Sequence, residues 1–366
     1  MKNANPVLAA ALIALSYPCA VLALDGGDIL KVPPTARGLS LGGSEVCTGT
    51  EALFYNPSGL AAATRMGVSL SHAQLYEETR LDSIGASAPT ALGSLGVSAL
   101  LLTQGALEGR DMDGRATGSF LAVDRVVSVS WAAKVPRSPF RLGFTAKHLE
   151  QRIADAKAQG MLADLGLQAQ VGSRLSVGAS AQNLGKRLQF LSESFAPPLA
   201  VGVSAGLDLG GGLGLLARVR HRPNAALTEL GGGMEFSLGG VMALRASIER
   251  PFSSALPASQ NPLLSGFSGG VGLLALKGTQ LDYAFSPGVE ALGQTHRLTL
   301  RFEFGGADDG LAGPRERLRD APRNTPARRG VRSERPRGGP GTDRPRKQKQ
   351  ATWDNFWRRD GEGRPL

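Results

Sequence analysis

Two cysteines, Cys19 and Cys47, are all that the 366 residues contain. They are too few for a disulfide framework, and no CxxC pair is present to form a metal knuckle or a redox couple. Aromatic residues make up only 5% of the chain, with three Trp and four Tyr. No stretch beyond the N-terminal region approaches the roughly 20 apolar residues of a transmembrane helix, so insertion into a bilayer would have to be by β-strands. Chemistry-bearing patterns are equally thin. His72, His148, His221 and His296 lie far apart and match no metal-ligand spacing. No Walker loop occurs, and the glycines at 210–212 and 214 lead into an alternating run that reads as a hairpin turn rather than a dinucleotide loop. No metal and no cofactor is expected, and the chain reads as non-enzymatic.

Glycine, by contrast, is abundant at 49 residues, and Leu, Val, Ala and Ser fill most of the body. Such a composition favours many short strands and turns over a helical bundle. The N-terminus has the parts of a secretory signal: Lys2 for charge, an apolar stretch from Val7 to Leu15, and Val21-Leu22-Ala23 as a small-residue cleavage pattern. Cleavage over 1–23 would start the mature chain at Leu24 and leave Cys47 as its lone cysteine, with no role assigned. Tyr17 and Pro18 interrupt the apolar run, which speaks against a retained anchor and against lipidation of Cys19.

From 67 to 305 the sequence breaks into fourteen segments of alternating character bounded by Gly, Pro, Asp, Asn or Ser. They are Gly67 to Leu75, Leu81 to Ala88, Leu95 to Gln104, Arg125 to Val135, Phe140 to Leu149, Leu162 to Val171, Arg174 to Gln182, Leu199 to Leu209, Leu213 to His221, Glu229 to Leu238, Val241 to Arg250, Gly266 to Leu276, Thr279 to Ser286 and Thr295 to Phe304. In the last, Leu298, Leu300, Phe302 and Phe304 oppose Arg297, Thr299, Arg301 and Glu303. Period-2 alternation fits a half-buried strand, but a soluble sandwich alternates as well. Three features favour an all-β transmembrane antiparallel barrel: the segment lengths, the even and large count, and export without paired cysteines. The shortage of Trp and Tyr for interfacial girdles counts against it, although Trp131, Phe140, Phe144, Phe190, Phe236, Phe267, Phe285, Phe302 and Phe304 could form a sparse belt.

Ahead of the strands, residues 24–66 carry Arg37-Gly38, then Leu41-Gly42-Gly43, then an unbroken run from Ala52 through Phe54-Tyr55-Asn56-Pro57-Ser58-Gly59 to Ala61. Asn56-Pro57-Ser58-Gly59 reads as a turn, in which Asn bonds its own backbone, Pro presets its dihedral and Gly takes a positive φ. This stretch resembles the N-terminal signature of the PorV/PorQ family of outer-membrane proteins, relatives of the FadL-type long-chain fatty-acid transporters. Ala163 to Gly166, Leu175 to Gly178 and Asn183 to Gly185 are similar to that family's paired mid-barrel strands. The resemblance implies a fourteen-stranded barrel whose N-terminal segment folds into the lumen as a plug, with Asn56, Pro57 and Gly59 forming the plug turn. Gly38, Gly42 and Gly43, after Arg37, would be its close contacts with the wall. It further implies an outer-membrane scaffold or carrier in protein export, with secretion-system proteins or cargo as partners. The alternatives are a FadL-like conduit for hydrophobic small molecules and a soluble exported β-sandwich adhesin. A lumen lined by Arg141, Lys147, Arg245 and Arg301 would favour polar contents over the conduit. The even strand count places both termini on the periplasmic side of the bacterial outer membrane.

After 305 the composition changes. Residues 306–366 hold sixteen basic against nine acidic residues, so +7 of the chain's formal +10 belongs to this tail. Rich in Arg, Pro and Gly, it cannot bury enough surface to offset its ordering entropy and reads as disordered. Trp353, Phe356 and Trp357 form an aromatic cluster near its end, a candidate docking peptide. Nucleic acid is a poor target for an exported chain; lipid phosphates or another anionic envelope component suit the tail better.

Overall fold

The computed structural model describes residues 26–305, apart from 77, 106, 112, 191–192, 254–265, 277 and 288–293. The signal peptide expected over 1–23 and the basic tail over 306–366, with Trp353, Phe356 and Trp357, lie outside the described residues.

The alternating segments form strands, and the strands close on themselves. In chain order they are β1 (Met66–Gln74), β2 (Arg80–Thr90), β3 (Gly93–Thr103), β4 (Leu107–Arg110), β5 (Ala116–Phe120), β6 (Ala122–Lys134), β7 (Phe140–Ile153), β8 (Ala156–Val171) and β9 (Leu175–Gly185). They continue with β10 (Leu188–Phe190), β11 (Glu193–Phe195), β12 (Ala200–Gly210), β13 (Leu213–Arg222), β14 (Leu227–Leu238), β15 (Met242–Ser253), β16 (Phe267–Leu276), β17 (Thr279–Ser286) and β18 (Thr295–Phe304). Fourteen of them make one closed antiparallel barrel, while β4–β5 and β10–β11 are separate two-stranded hairpins in its longer connections. Closure is by β1 on β18, in continuous register from Met66↔Phe304 to Gln74↔His296.

Which face turns outward decides between membrane barrel and sandwich. Val127, Val129 and Trp131 of β6 are 48%, 57% and 43% exposed, while Ser128 and Ser130 between them are buried. The same holds for Leu244 and Ile248 against Arg245 and Ser247, and for Leu298 against Arg297 and Thr299. Apolar side chains thus face out and polar ones face in, the reverse of a water-soluble sandwich and the pattern of a barrel in lipid. The soluble sandwich is thereby excluded. Aromatics at the two rims are few: Trp131, Phe140, Phe144, Phe236 and Phe304 at one end, Tyr76 and Phe252 at the other, all exposed.

The two ends of the barrel differ. At one, connections run two to five residues, as at 91–92, 172–174, 211–212 and 135–139, and here β1 starts and β18 finishes. At the other lie the connections that carry the β4–β5 and β10–β11 hairpins. Met66 and Phe304 share the short-turn end, as an even strand count requires. The first described residue does not: Gly26 donates its N–H to Ala196 O at 3.1 Å, in the connection between β9 and β12 at the opposite end. Residues 26–65 thus run through the lumen from the hairpin end to the start of β1, while the two ends of the chain lie outside the described residues.

Strand ends departed most from expectation in the β7–β8 hairpin, which runs to Ile153 and Ala156 rather than stopping at Leu149 and Leu162. Arg152, Lys157 and Gln159 make the exposed face of this extension polar, so the apolar stripe that marks the lipid-facing strands stops before it.

Candidate functional site

The plug is a chain of short helical turns, each with a local reason to form. A 3-10 turn at Asp28–Leu30 presents Ile29, fully buried. Thr35 caps the helix α1 (Ala36–Ser40), accepting from Gly38 N at 3.1 Å, and its hydroxyl donates to Glu51 Oε2 at 2.8 Å. Gly42 and Gly43 then turn the chain at φ of 74° and 62°, a region that favours glycine. A second 3-10 turn at Gly49–Glu51 leads into α2 (Ala52–Tyr55), and a third follows at Pro57–Ala62. Asn56 caps this last element through Oδ1, which accepts from Ser58 N at 3.2 Å, and Pro57 stands at its first position, where no N–H is needed. Asn56 to Gly59 is therefore a capped helix start rather than a simple turn. Gly59 has no positive φ; a Cβ there would overlap the carbonyl of Cys47.

The wall receives the plug through glycines on its inward face. A Cβ at Gly143 of β7 would overlap the Pro57–Ser58 peptide, one at Gly166 of β8 the Asn56 side chain, and one at Gly178 of β9 the Glu45 carbonyl. On the other side, Gly202 faces the Glu45 carboxylate, Gly233 the Leu41 backbone and Gly270 the Ser40 side chain. Glycine inside a strand often marks such a close backbone approach. Glycine in the wall strands thus builds a socket, in addition to its use in turns.

Directed hydrogen bonds hold the plug in that socket. Asn56 Nδ2 donates to Glu45 O at 2.6 Å and to Leu167 O and Ala179 O of the wall at 3.2 Å each. Gln168 Nε2 donates to Glu45 O and Cys47 O at 2.7 and 2.8 Å, and Gln182 Nε2 to Tyr55 O at 2.5 Å. Ala36 N reaches Thr299 Oγ1 at 2.8 Å, and Ser247 Oγ donates to Leu39 O at 3.2 Å. The buried Glu45 carboxylate accepts from Ser204 Oγ and pairs with Arg220 at 3.4 Å. An ionic ladder completes the seat: Arg37 to Glu235 at 3.3 Å, Glu235 to Arg245 at 2.5 Å, Arg245 to Asp282 at 2.6 Å and Asp282 to Arg301 at 3.0 Å. Beside it lies a cavity of about 70 Å³ lined by Arg37, Ser237, Gln280 and Arg301.

Burial perturbs the plug's titratable groups. It pushes the Cys47 thiol well above its ordinary pKa, with Glu51 and Glu45 adding to the effect. The Tyr55 phenol is raised by burial and then by Glu51. Burial also lowers the Arg37 guanidinium, against the opposing pull of Glu235.

Toward the end with the hairpins, the inward face of β1 to β8 changes from serine to aliphatic residues. Ala73, Leu81, Leu102, Val126, Leu149 and Leu162 form one buried cluster with Ile29 of the plug and Leu188 of β10. Lys147 also faces inward, paired to Asp164 at 2.6 Å.

Of the residues singled out in the sequence, Arg37, Gly42, Gly43, Asn56 and Pro57 all stand where plug meets wall. Gly38 instead packs on Tyr55 within the plug, and Gly59 on Cys47. The wall residues Gln168, Gln182, Ser204 and Glu235 and the socket glycines carried no motif, although glycine at inward positions of otherwise apolar-alternating strands was a usable sign. Three Gly-x-Ser-x-Gly sequences occur, at Gly38 to Gly42, Gly202 to Gly206 and Gly266 to Gly270, and none is a strand-to-helix elbow: Ser40 Oγ donates to Arg37 O, Ser204 Oγ to Glu45, and Ser268 lies within β16. The four histidines lie on β1, β7, β13 and β18. His72 bonds Asp82, and His296 bonds Tyr283, both at exposed positions.

No protein-family model matches the chain, and no curated protein is similar to it in sequence. Solved structures are similar in fold. The Pseudomonas putida toluene transporter TodX aligns over 78% of this chain and 99% of its own, at 11% identity and a TM-score of 0.53. The Ralstonia pickettii toluene transporter TbuX aligns over 75% and 98%, at 12% identity and 0.53. A Pseudomonas aeruginosa FadL homologue aligns over 75% and 99%, at 11% identity and 0.52. At these identities the likeness concerns the fold, and the fold is a closed fourteen-stranded β-barrel of the outer-membrane type.

Proposed function

We propose that this protein is an outer-membrane conduit for small hydrophobic molecules, gated by its luminal plug. The observation that carries the reading is the aliphatic cluster inside the lumen. A barrel serving polar solutes lines its lumen with polar groups, whereas here Leu81, Leu102, Val126, Leu149 and Leu162 gather around Ile29. Ile29, on a three-residue turn near the start of the described chain, fills the place that an apolar guest would take. The inward Lys147 and Arg245 do not oppose this, because both are matched by buried carboxylates. Structures alike in fold include toluene transporters, which supports the conduit above the protein-export role implied by the resemblance of the N-terminal stretch to PorV/PorQ proteins. In this reading the short turns face the periplasm and the hairpin-bearing connections face outward.

Uptake of toluene into liposomes containing the purified protein tests it. Protein-dependent uptake that falls at least tenfold in Leu102→Asp, with the barrel still showing heat-modifiable migration, supports the conduit. Uptake no faster than in protein-free liposomes rejects it.

A further inference from the structure

Among the cations buried in the wall, Arg297 differs from the rest. Lys147, Arg218, Arg220, Arg222, Arg245 and Arg301 each reach a carboxylate. Arg297 is 3% exposed, and its Nε and Nη1 have no hydrogen-bond partner among the described residues. Its position explains why. On β18 it faces Ala73 of β1 on one side and Ala284 of β17 on the other, both fully buried and neither offering an acceptor. The acid closest in register is Asp282, whose oxygens are committed to Arg245, Arg301 and Gln280. The plug group within its electrostatic reach is Tyr55. That phenol is held above its ordinary pKa by burial, so it stays neutral and supplies no countercharge.

An isolated charge out of water is strongly disfavoured unless it is matched. A partner from outside the described residues would match that charge. We propose that Arg297 anchors an anion site at the seam between plug and wall, taking one small oxyanion or carboxylate. Hydroxyls are at hand for such a guest. Ser71 and Thr299 lie 2.8 Å apart one level along the same inward face. Ala73 also belongs to the aliphatic cluster, so the anion could be free in solution or be the head of a molecule whose apolar part lies in that cluster.

Calorimetric titration of the purified full-length barrel with acetate, phosphate and octanoate at constant ionic strength tests the site and separates these sources. The expected result is saturable one-to-one binding of at least one of the three. It should be weakened tenfold or more in Arg297→Gln and kept within a fewfold in Arg297→Lys, both checked for heat-modifiable migration. Octanoate binding well above acetate identifies a head group; equal binding identifies a free anion. No binding by the wild type, or binding by Arg297→Gln equal to wild type, overturns the site. Because the readout is anion binding, it is independent of whether toluene crosses the barrel.

Discussion

Asn56 Nδ2 lies 2.6 Å from the carbonyl oxygen of Glu45, across eleven residues of the plug, and the same nitrogen reaches carbonyls of β8 and β9. One fully buried amide thus fixes the plug's own fold and fastens it to the wall. Asn56→Ala is expected to destabilise plug seating by about 2 kcal/mol, from a lost cap and lost buried hydrogen bonds. Asn56→Asp should be worse than Ala, since it keeps the cap on Ser58 but turns a carboxylate toward three carbonyl oxygens. Hydrogen exchange of residues 45–62 checks the order.

The socket glycines give a second expectation. At Gly143 an added side chain meets the Pro57–Ser58 peptide, and overpacking costs about 1–3 kcal/mol. Gly143→Val should leave a folded barrel, because valine suits a strand, but should displace the plug. Planar-bilayer recordings are expected to show a severalfold higher conductance than wild type.

Glu235 joins the plug to the ionic ladder by accepting from both Arg37 and Arg245. Breaking a buried ion pair by removing one partner costs about 3–5 kcal/mol. Glu235→Gln is therefore expected to lower the temperature at which the folded band shifts on a gel. In a double-mutant cycle with Arg37→Met, the two changes should cost less together than the sum of their separate effects.

Alkaline pH should loosen the plug. Cys47 and Tyr55 are both raised by burial, whereas in an unfolded segment they titrate near ~8.5 and ~10. Above those values the released segment loses protons that the seated plug retains. Their contribution to seating is thus complete below the unfolded pKa values and declines as pH rises through the folded ones. Labelling of Cys47 by a charged maleimide should be slow at pH 7, accelerate as the pH approaches 10 beyond the rise in free-thiol reactivity, and be fast at pH 7 in Gly143→Val.

The barrel was legible in the sequence because its strands are amphipathic with period 2. All fourteen alternating segments fall on the fourteen barrel strands, and the face with Leu298 and Leu300 was separable from the face with Arg297 and Thr299. What stayed hidden was nonlocal. Gly143, Gly166 and Gly178 pass for ordinary strand glycines until Pro57, Asn56 and Glu45 arrive from more than eighty residues away in sequence. Asn56 looked like a turn former, and its role as cap and wall fastener depends on partners at Leu167 and Ala179. The two small hairpins are short, and the outer part of β7–β8 turns polar side chains to the face that is apolar elsewhere in the barrel, so the lipid-facing pattern did not announce them.

The central claim, that the plug gates an apolar conduit, can be tested with a reversible lock. Cβ atoms at positions 42 and 247 would lie 3.7 Å apart, within the range of a disulfide. In a Cys47→Ser background, Gly42→Cys with Ser247→Cys should therefore form one on oxidation, at some strain because Gly42 has a positive φ. Toluene uptake into liposomes would be measured in the oxidised and the reduced protein. A plug that gates the conduit requires uptake to be abolished on oxidation and restored by reductant; equal uptake in both states would contradict it.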